Sequence, residues 1–245
     1  SDMGGSLRIP AAMCGVVGLR PSPGVVPFEA RQLGWAPIGV LGPMGRTLPD
    51  LRLLLAAQVA VQAHEPLAFP LDLEAAAHAR PVDLGRLRVA WTEDFGQCPV
   101  AREIRKLMRK RMHAMRHLFR SCDEVCFDFG AADRCFDIVR AQSFMARHQA
   151  AYELDPASLG PNVRANYELG ANMTLADTVW AHAEQTRIFH RFQAHFRDYD
   201  LVLAPTTPVS AFAWSKPYLA ELEGEPLRNY YHWLALTYYI SLVSN

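Results

Sequence analysis

The sequence has no net charge and very little lysine. Its 245 residues carry 25 Lys or Arg and 25 Asp or Glu, and the lysines among them are Lys106, Lys110 and Lys216. A balanced charge gives a protein no overall attraction to nucleic acid or to an acidic membrane surface. Neither is therefore expected as a partner, and few side chains are available for chemistry that requires a lysine.

Cysteine is also scarce. The five cysteines are odd in number and irregularly spaced, which argues against a disulfide framework and is typical of a reducing compartment such as the cytoplasm. Cys122, Cys126 and Cys135 can be read as metal ligands, but their spacing contains no pair of ligands typical of a zinc site. Ordinary, partly buried thiols are the preferred interpretation, and no metal or organic cofactor is expected.

Long hydrophobic runs are missing as well. The longest apolar stretch, Leu51–Ala63, contains Arg52 and is too short to span the roughly 30 Å hydrocarbon core of a membrane. It predicts a buried helix, and no membrane segment is expected. Thr47 can cap this helix, Pro49 fits its first turn, and Asp50 favours the positive end of its dipole.

Apolar periodicity and turn residues predict helices that alternate with strands. This alternation favours an α/β fold with a mixed, largely parallel sheet flanked by helices. Half of the residues are apolar, so a chain of this length can bury the core of a single domain. Helices are predicted over Ile9–Cys14, Val100–Phe119, Ala131–Tyr152, Leu175–Phe196 and Arg228–Leu242, strands over Gly15–Leu19, Leu87–Trp91, Glu124–Phe129 and Leu201–Ala204, and an irregular connection over Pro21–Gly45.

A basic run between residues 102 and 120 has two interpretations. It can be a footprint for nucleic acid or membrane, or the solvated face of an amphipathic helix. Arg105, Arg109, Arg116 and Arg120 share one face at helical spacing, and apolar residues occupy the other. No interleaved aromatic residues accompany the charges, so the solvated face is preferred.

Two glycines before a serine form the most informative motif. Gly4 and Gly5 have no Cβ, so the backbone there can approach a ligand closely and adopt dihedral angles closed to other residues. When the serine that ends such a turn is a nucleophile, the preceding amides face the carbonyl oxygen that gains charge during acyl transfer. Ser6 is therefore a candidate nucleophile.

The residues around Ser6 resemble the amidase signature family of serine hydrolases. Residues 2–11 read D-M-G-G-S-L-R-I-P-A, where the family has Asp-x-Gly-Gly-Ser-x-Arg-x-Pro-Ala. Residues 14–22 and 42–47 are similar to its Cys-Gly-x-x-Gly-Leu-Lys/Arg-Pro-Ser/Thr and Gly-Pro-Met-Ala-Arg-Thr segments. Residues 199–208 are similar to a strand of the family that ends in Pro-Thr. The likeness is dense before residue 55 and sparse from there to residue 199.

The resemblance implies an amidase that cleaves a carboxamide or ester of a small molecule through a seryl acyl-enzyme. The nucleophile is expected to be Ser6, and its activation to need a second serine, held by a cis peptide, and a neutral lysine. Asp2 and Arg8 are interpreted as residues that orient the turn, with Arg8 as an alternative contact for a substrate carboxylate. The oxyanion is expected to be held by the backbone amides of Met3, Gly4, Gly5 and Ser6.

The resemblance also implies an organisation and an incompleteness. A single amidase domain is expected over residues 1–245, with a nucleophile-bearing core at 1–55, a variable region on the substrate side at 62–198, and a late strand and apolar helix at 199–245. The family's Gly-Ser-Ser-Gly-Gly motif and its lysine precede the nucleophile, yet five residues precede Ser6. The chain is therefore interpreted as an internal fragment, inactive by itself.

Three alternatives to this interpretation stay open. One is the amidase subunit of a glutamyl-tRNA amidotransferase, which implies partner subunits. Another is an inactive family member that acts as a binding or scaffold domain, and a homo-oligomer is left open for each. A Ser-His-Asp triad with His182, His190 or His195 is less favoured, because the segment around Ser6 lacks the Gly-x-Ser-x-Gly pattern.

Overall fold

Helices alternate with short strands along the chain. A computed structural model describes residues 1–72, 74, 77, 78 and 80–244; the terminal Asn245 of the predicted fragment lies outside these residues. The helices are α1 (Arg8–Cys14), α2 (Leu48–Gln58), α3 (Arg102–Met115), α4 (Ala132–Leu154), α5 (Pro161–Ala171), α6 (Leu175–Ala194) and α7 (Ala235–Leu242). The strands are β1 (Val17–Gly18), β2 (Met44–Gly45), β3 (Arg88–Trp91), β4 (Ser121–Glu124), β5 (Leu201–Leu203), β6 (Glu221–Leu222) and β7 (Glu225–Pro226).

Three strands form a parallel sheet in the order β4-β3-β5. Val89 in β3 pairs with Cys122 in β4 and with Leu201 in β5, so β3 lies in the middle. The pairs β1-β2 and β6-β7 are antiparallel. The predicted α/β fold, with a parallel sheet flanked by helices, is confirmed.

The main core lies between the sheet, α4, α6 and α7. Phe95 packs edge-on against Phe127 and Phe129, and Phe129 lies 4.8 Å from Tyr239 of α7, measured between ring centroids. On the other side of α7, Tyr238 stacks on Phe136 of α4. Aromatic packing of this kind fixes α7 against α4, which matters because α7 also contacts the first residues of the chain.

The predicted cap of α2 is confirmed, but its predicted burial is wrong. Thr47 Oγ1 accepts the amide of Asp50 at 3.3 Å, and Asp50 Oδ2 accepts the amide of Thr47 at 3.2 Å, which is a capping box. The helix ends at Gln58, and Leu51 is its one buried residue, while Leu53 is 72 % exposed. One face of α2 packs on the β1-β2 pair, and no other part of the described chain covers its remaining leucines.

Two predicted strands differ from the structure. The strand predicted over Glu124–Phe129 is wrong: β4 ends at Glu124, and the following extended chain has no strand partner among the described residues. Phe127 and Phe129 alternate because their rings enter the core, and alternation reports burial, whichever groups the backbone pairs with. The segment Leu201–Ala204, predicted as buried, is the sheet edge β5, where Leu201 is exposed.

The helices near residues 160 and 230 also differ from prediction. Helix α5 was not predicted, although Pro161 at its first position was an available signal. The helix predicted over Arg228–Leu242 begins as α7 at Ala235, after a short 3-10 turn. The preceding residues are held by tertiary contacts instead, because both Arg228 and Tyr231 hydrogen-bond to Asp137 of α4.

The basic residues of α3 are partly neutralised. Arg105 pairs with Asp94, and Arg109 pairs with Glu93, so two of the four arginines on the predicted face contact acidic side chains of the protein itself. Within the described residues, no helix is long and apolar enough to cross a membrane.

Candidate active site

Ser6 lies in an exposed turn immediately before α1. We call residues Asp2–Leu7 the nucleophile turn. The amide of Ile9 donates to the carbonyl of Gly5 at 2.8 Å, which starts the helical pattern just past the serine. Ser6 itself is exposed, and its hydroxyl makes no hydrogen bond with any residue that the structure describes.

Asp2 holds the turn together from inside. Its side chain is fully buried, and its carboxylate accepts the amides of Gly5 at 2.9 Å and Leu7 at 3.1 Å. Its backbone pairs in both directions with Val40, which ties the turn to the loop before β2. A carboxylate at this position therefore aligns the backbone on both sides of Ser6.

Arg8 and Arg20 supply the positive charges around Asp2. Arg8 Nε and Nη2 donate to the carboxylate at 3.0 and 2.8 Å, and Arg20 Nη1 donates to the Asp2 carbonyl at 2.6 Å. Burial alone would raise the pKa of Asp2, but the hydrogen bonds and charge of Arg8, with the charge of Arg20, hold it below its usual value. Burial and the charge of Arg8 lower the pKa of Arg20 to about 10.

Helix α7 supports the turn from the far end of the chain. Thr237 Oγ1 donates to the carbonyl of Gly4 at 2.5 Å. Arg8 donates to the carbonyl of Thr237 and to the hydroxyl of Ser241, both at 2.8 Å. Most of the N–H groups of Arg8 are therefore occupied by the protein, which favours the predicted orienting role over contact with a substrate carboxylate.

The backbone amides around Ser6 are not equivalent. The amide of Gly5 is bound to Asp2, whereas the amides of Met3, Gly4 and Ser6 have no hydrogen-bond partner in the described part of the chain. Gly5 adopts φ of +134°, a conformation that favours glycine. The turn thus presents unpaired N–H donors beside an exposed hydroxyl.

The other candidate groups lie away from Ser6. Lys106 and Lys110 are on the exposed face of α3, and Lys216 is exposed in the loop after β5. His195 packs on the ring of Phe127 at 4.5 Å, and burial lowers its pKa. No described lysine or histidine hydrogen-bonds to Ser6.

No metal centre is evident in the described residues. No group of three or more His, Cys, Asp or Glu side chains there is close enough to hold a metal ion. Of the three cysteines considered as ligands, Cys135 is fully buried in α4, and its thiol donates to the carbonyl of Ala181.

The comparison with known families decides the relationship. A family model described as Amidase matches residues 1–245. The chain belongs to the amidase signature family. An acylamidase of Rhodococcus erythropolis is 26% identical over 251 residues, which cover 100% of this chain and 52% of the relative. A glutamyl-tRNA(Gln) amidotransferase subunit of Acaryochloris marina is 27% identical over 256 residues, with coverages of 94% and 52%.

Solved structures of amidase signature enzymes share the fold. A bacterial aryl acylamidase superposes with a TM-score of 0.84 at 23% identity, over 99% of this chain and 53% of the other. A second amidase superposes with a TM-score of 0.75 at 24% identity, over 99% and 52%. The chain spans about half the length of the relatives that it matches.

Two residues that support the turn of this amidase signature chain were missed in the sequence. Thr237 and Ser241 lie in a helix that is otherwise apolar and aromatic, and both are buried. They are four residues apart, so they share one face of α7. A polar pair at this spacing on an apolar helix was the available signal, although nothing local identifies its partner at the start of the chain.

Proposed function

We propose that Ser6 is the nucleophile of an amide hydrolase that forms a seryl acyl-enzyme on a carboxamide or ester of a small molecule. The observation that carries this proposal is the exposed Ser6 hydroxyl beside the unpaired amides of Met3, Gly4 and Ser6 itself. Unpaired, fixed N–H donors are what a developing oxyanion requires. The family membership of the chain and its acylamidase relative support the same chemistry.

The proposed reaction proceeds in two steps. Ser6 Oγ attacks the substrate carbonyl, and its proton passes through a second serine to a neutral lysine, as in the mechanism implied by the family resemblance. The bond from the carbonyl carbon to the leaving nitrogen then breaks as the lysine returns the proton to that nitrogen. Water hydrolyses the ester on Ser6, and the scheme uses no metal or organic cofactor.

Asp2 and Arg8 are proposed as positioning residues. Asp2 fixes the amides of Gly5 and Leu7, and Arg8 joins Asp2 to Thr237 and Ser241 of α7. Because the amide of Gly5 is occupied by Asp2, the proposed oxyanion donors with no protein partner are those of Met3, Gly4 and Ser6, and binding at Gly5 requires that its bond to Asp2 is shared.

The relatives support a second candidate within the same chemistry. Several of them, at 25% to 28% identity, are named as subunits of glutamyl-tRNA(Gln) amidotransferases. In that role, the protein would release ammonia from glutamine only in the presence of partner subunits. Glutaminase activity that depends on such partners favours this candidate, whereas hydrolysis of simple amides by the protein alone favours an amidase.

Hydrolysis of an aryl amide by the complete gene product tests the proposal. Ser6→Ala is expected to lower the rate of amine release by about a thousandfold or more, because nothing else in the turn can form the acyl-enzyme. Ser158→Ala removes an exposed hydroxyl elsewhere in the chain and is expected to leave the rate unchanged. Full activity of Ser6→Ala contradicts the assignment.

A further inference from the structure

A cavity of about 430 Å³ adjoins the nucleophile turn at Asp2 and Met3. Its walls come from the loop at residues 28–41 and from α4 at residues 143–148. Phe28, Ile38 and Phe144 give it apolar sides. Met3 carries one of the unpaired amides, so a substrate bound at the turn has this space directly beside its reacting carbonyl.

The charged groups of the cavity are predominantly positive. The ionisable side chains in its wall are Asp2, Arg31, Arg147 and His148. The carboxylate of Asp2 is already occupied by two backbone amides and by Arg8. No other acidic side chain of the described residues lines the cavity, so two guanidinium groups face it without a matching carboxylate there.

Arg31 has buried donors that no protein group accepts. Its side chain is 8 % exposed, and Nη1 donates to the carbonyl of Ala36 at 2.8 Å. Nη2 lies 3.6 Å from a carboxylate oxygen of Glu65, but both Nε and Nη2 are buried without a hydrogen bond to any described residue. Burial also lowers the pKa of Arg31. Buried donors are normally paired, so an acceptor at this position is missing from the protein itself.

Arg147 and His148 complete the polar part of the wall. Arg147 is exposed on α4 and has no hydrogen-bond or ion-pair partner within the part of the chain that the structure describes. Burial, together with the charge of Arg147, lowers the pKa of His148, so its imidazole is a neutral hydrogen-bonding group at pH 7. The cavity therefore combines an apolar body with two cationic forks.

We propose that this cavity binds one side of the amide substrate as an apolar chain that ends in a carboxylate, with Arg31 and Arg147 as the partners of that carboxylate. The inference rests on the proposed role of Ser6, since it places the carboxylate within the same substrate as the scissile amide. A planar guanidinium matches a carboxylate through two parallel hydrogen bonds, and such charge-assisted pairs are the stronger ones.

Binding to the complete gene product with Ser6→Ala tests the inference without hydrolysis. The probes are the monoanilide of adipic acid and its uncharged isostere, in which an isopropyl group replaces the carboxylate. Calorimetric titration is expected to show about tenfold tighter binding of the carboxylate, as one charge-assisted hydrogen bond supplies. Arg147→Gln and Arg31→Gln, each added to Ser6→Ala, are expected to reduce this preference about tenfold, whereas Arg111→Gln on α3, outside the cavity wall, keeps it.

The outcomes separate this inference from the proposed function. Equal binding of the two anilides, binding of neither, or a preference that survives Arg147→Gln overturns the inference. Arg147 is exposed, so this variant remains informative even where Arg31→Gln does not fold. Release of aniline by the protein with Ser6 intact is measured in parallel, and its absence together with a normal carboxylate preference contradicts the proposed function instead.

Discussion

Gly5 is the residue at which the turn leaves least room for another side chain. With φ of +134°, an added Cβ would lie 2.7 Å from Ile9 Cδ1 and against the hydroxyl of Thr237. Gly5→Ala is therefore expected to lower the free energy of unfolding by about 2 to 4 kcal/mol, from backbone strain and overpacking together. Urea unfolding measures the loss.

Gly15→Ala is the matched control for this prediction. Gly15 also has a positive φ, of +67°, but an added Cβ there meets no heavy atom within 4 Å. Its expected cost is about 1 kcal/mol, from conformation alone. Equal losses for the two variants would show that crowding at Gly5 plays no part.

Asp2 is the residue whose charge the turn depends on. Asp2→Asn leaves Arg8 and Arg20 without their buried carboxylate, so the free energy of unfolding is expected to fall by about 3 kcal/mol at pH 7. The pKa of Asp2 is lowered in the folded state. Its contribution is therefore present above the unfolded value of 3.8 and lost as the pH falls through the folded pKa.

The pH series gives the test for Asp2. The difference in free energy of unfolding between the wild type and Asp2→Asn is expected to be constant near neutral pH and to shrink below pH 3.8. A difference that does not change over the acid range means that the charge of Asp2 does not stabilise the turn.

Among the elements, α7 is the one that connects the end of the described chain to the nucleophile turn. Thr237→Val keeps the shape of the side chain but removes the donor to the Gly4 carbonyl. Because this loosens the turn, labelling of Ser6 by a fluorophosphonate is expected to slow roughly tenfold. Thr237→Ser retains the hydroxyl and is expected to restore the rate; if Thr237→Val labels at the wild-type rate, α7 does not position the turn.

Elements with strong local signals were predictable from the sequence. Thr47 and Asp50 place the start of α2 by a capping box, and β3 and α6 have clear periodicity. The elements that differ were decided by tertiary contacts. Phe127 and Phe129 alternate because they enter the core, and Arg228 leaves the helix because Asp137 and Asp133 hold it.

The site divides in the same way. The contiguous motif at residues 2–8 predicts Ser6 and the residues around it, since a turn is encoded within a few neighbouring positions. The support from Thr237 and Ser241 joins residues 229 and 233 positions apart from Arg8. Only the fold brings these residues together, so no local pattern identifies them as partners.

For the molecule as a whole, the overall charge hides a local imbalance. The basic and acidic residues cancel in number, and many of the arginines, such as Arg105 and Arg109, pair with nearby acids. The cavity beside the turn keeps guanidinium groups that lack this compensation. A neutral composition is therefore compatible with a site that selects for charge.

The most direct measurement is the position of the label after the complete gene product reacts with a fluorophosphonate. Mass spectrometry of the tryptic digest locates the adduct, and the relevant peptide ends at Arg8. The account predicts that Ser6 carries the phosphonate and that Ser6→Ala remains unlabelled while Ser158→Ala labels normally. A label on another residue, or unchanged labelling of Ser6→Ala, would contradict the account.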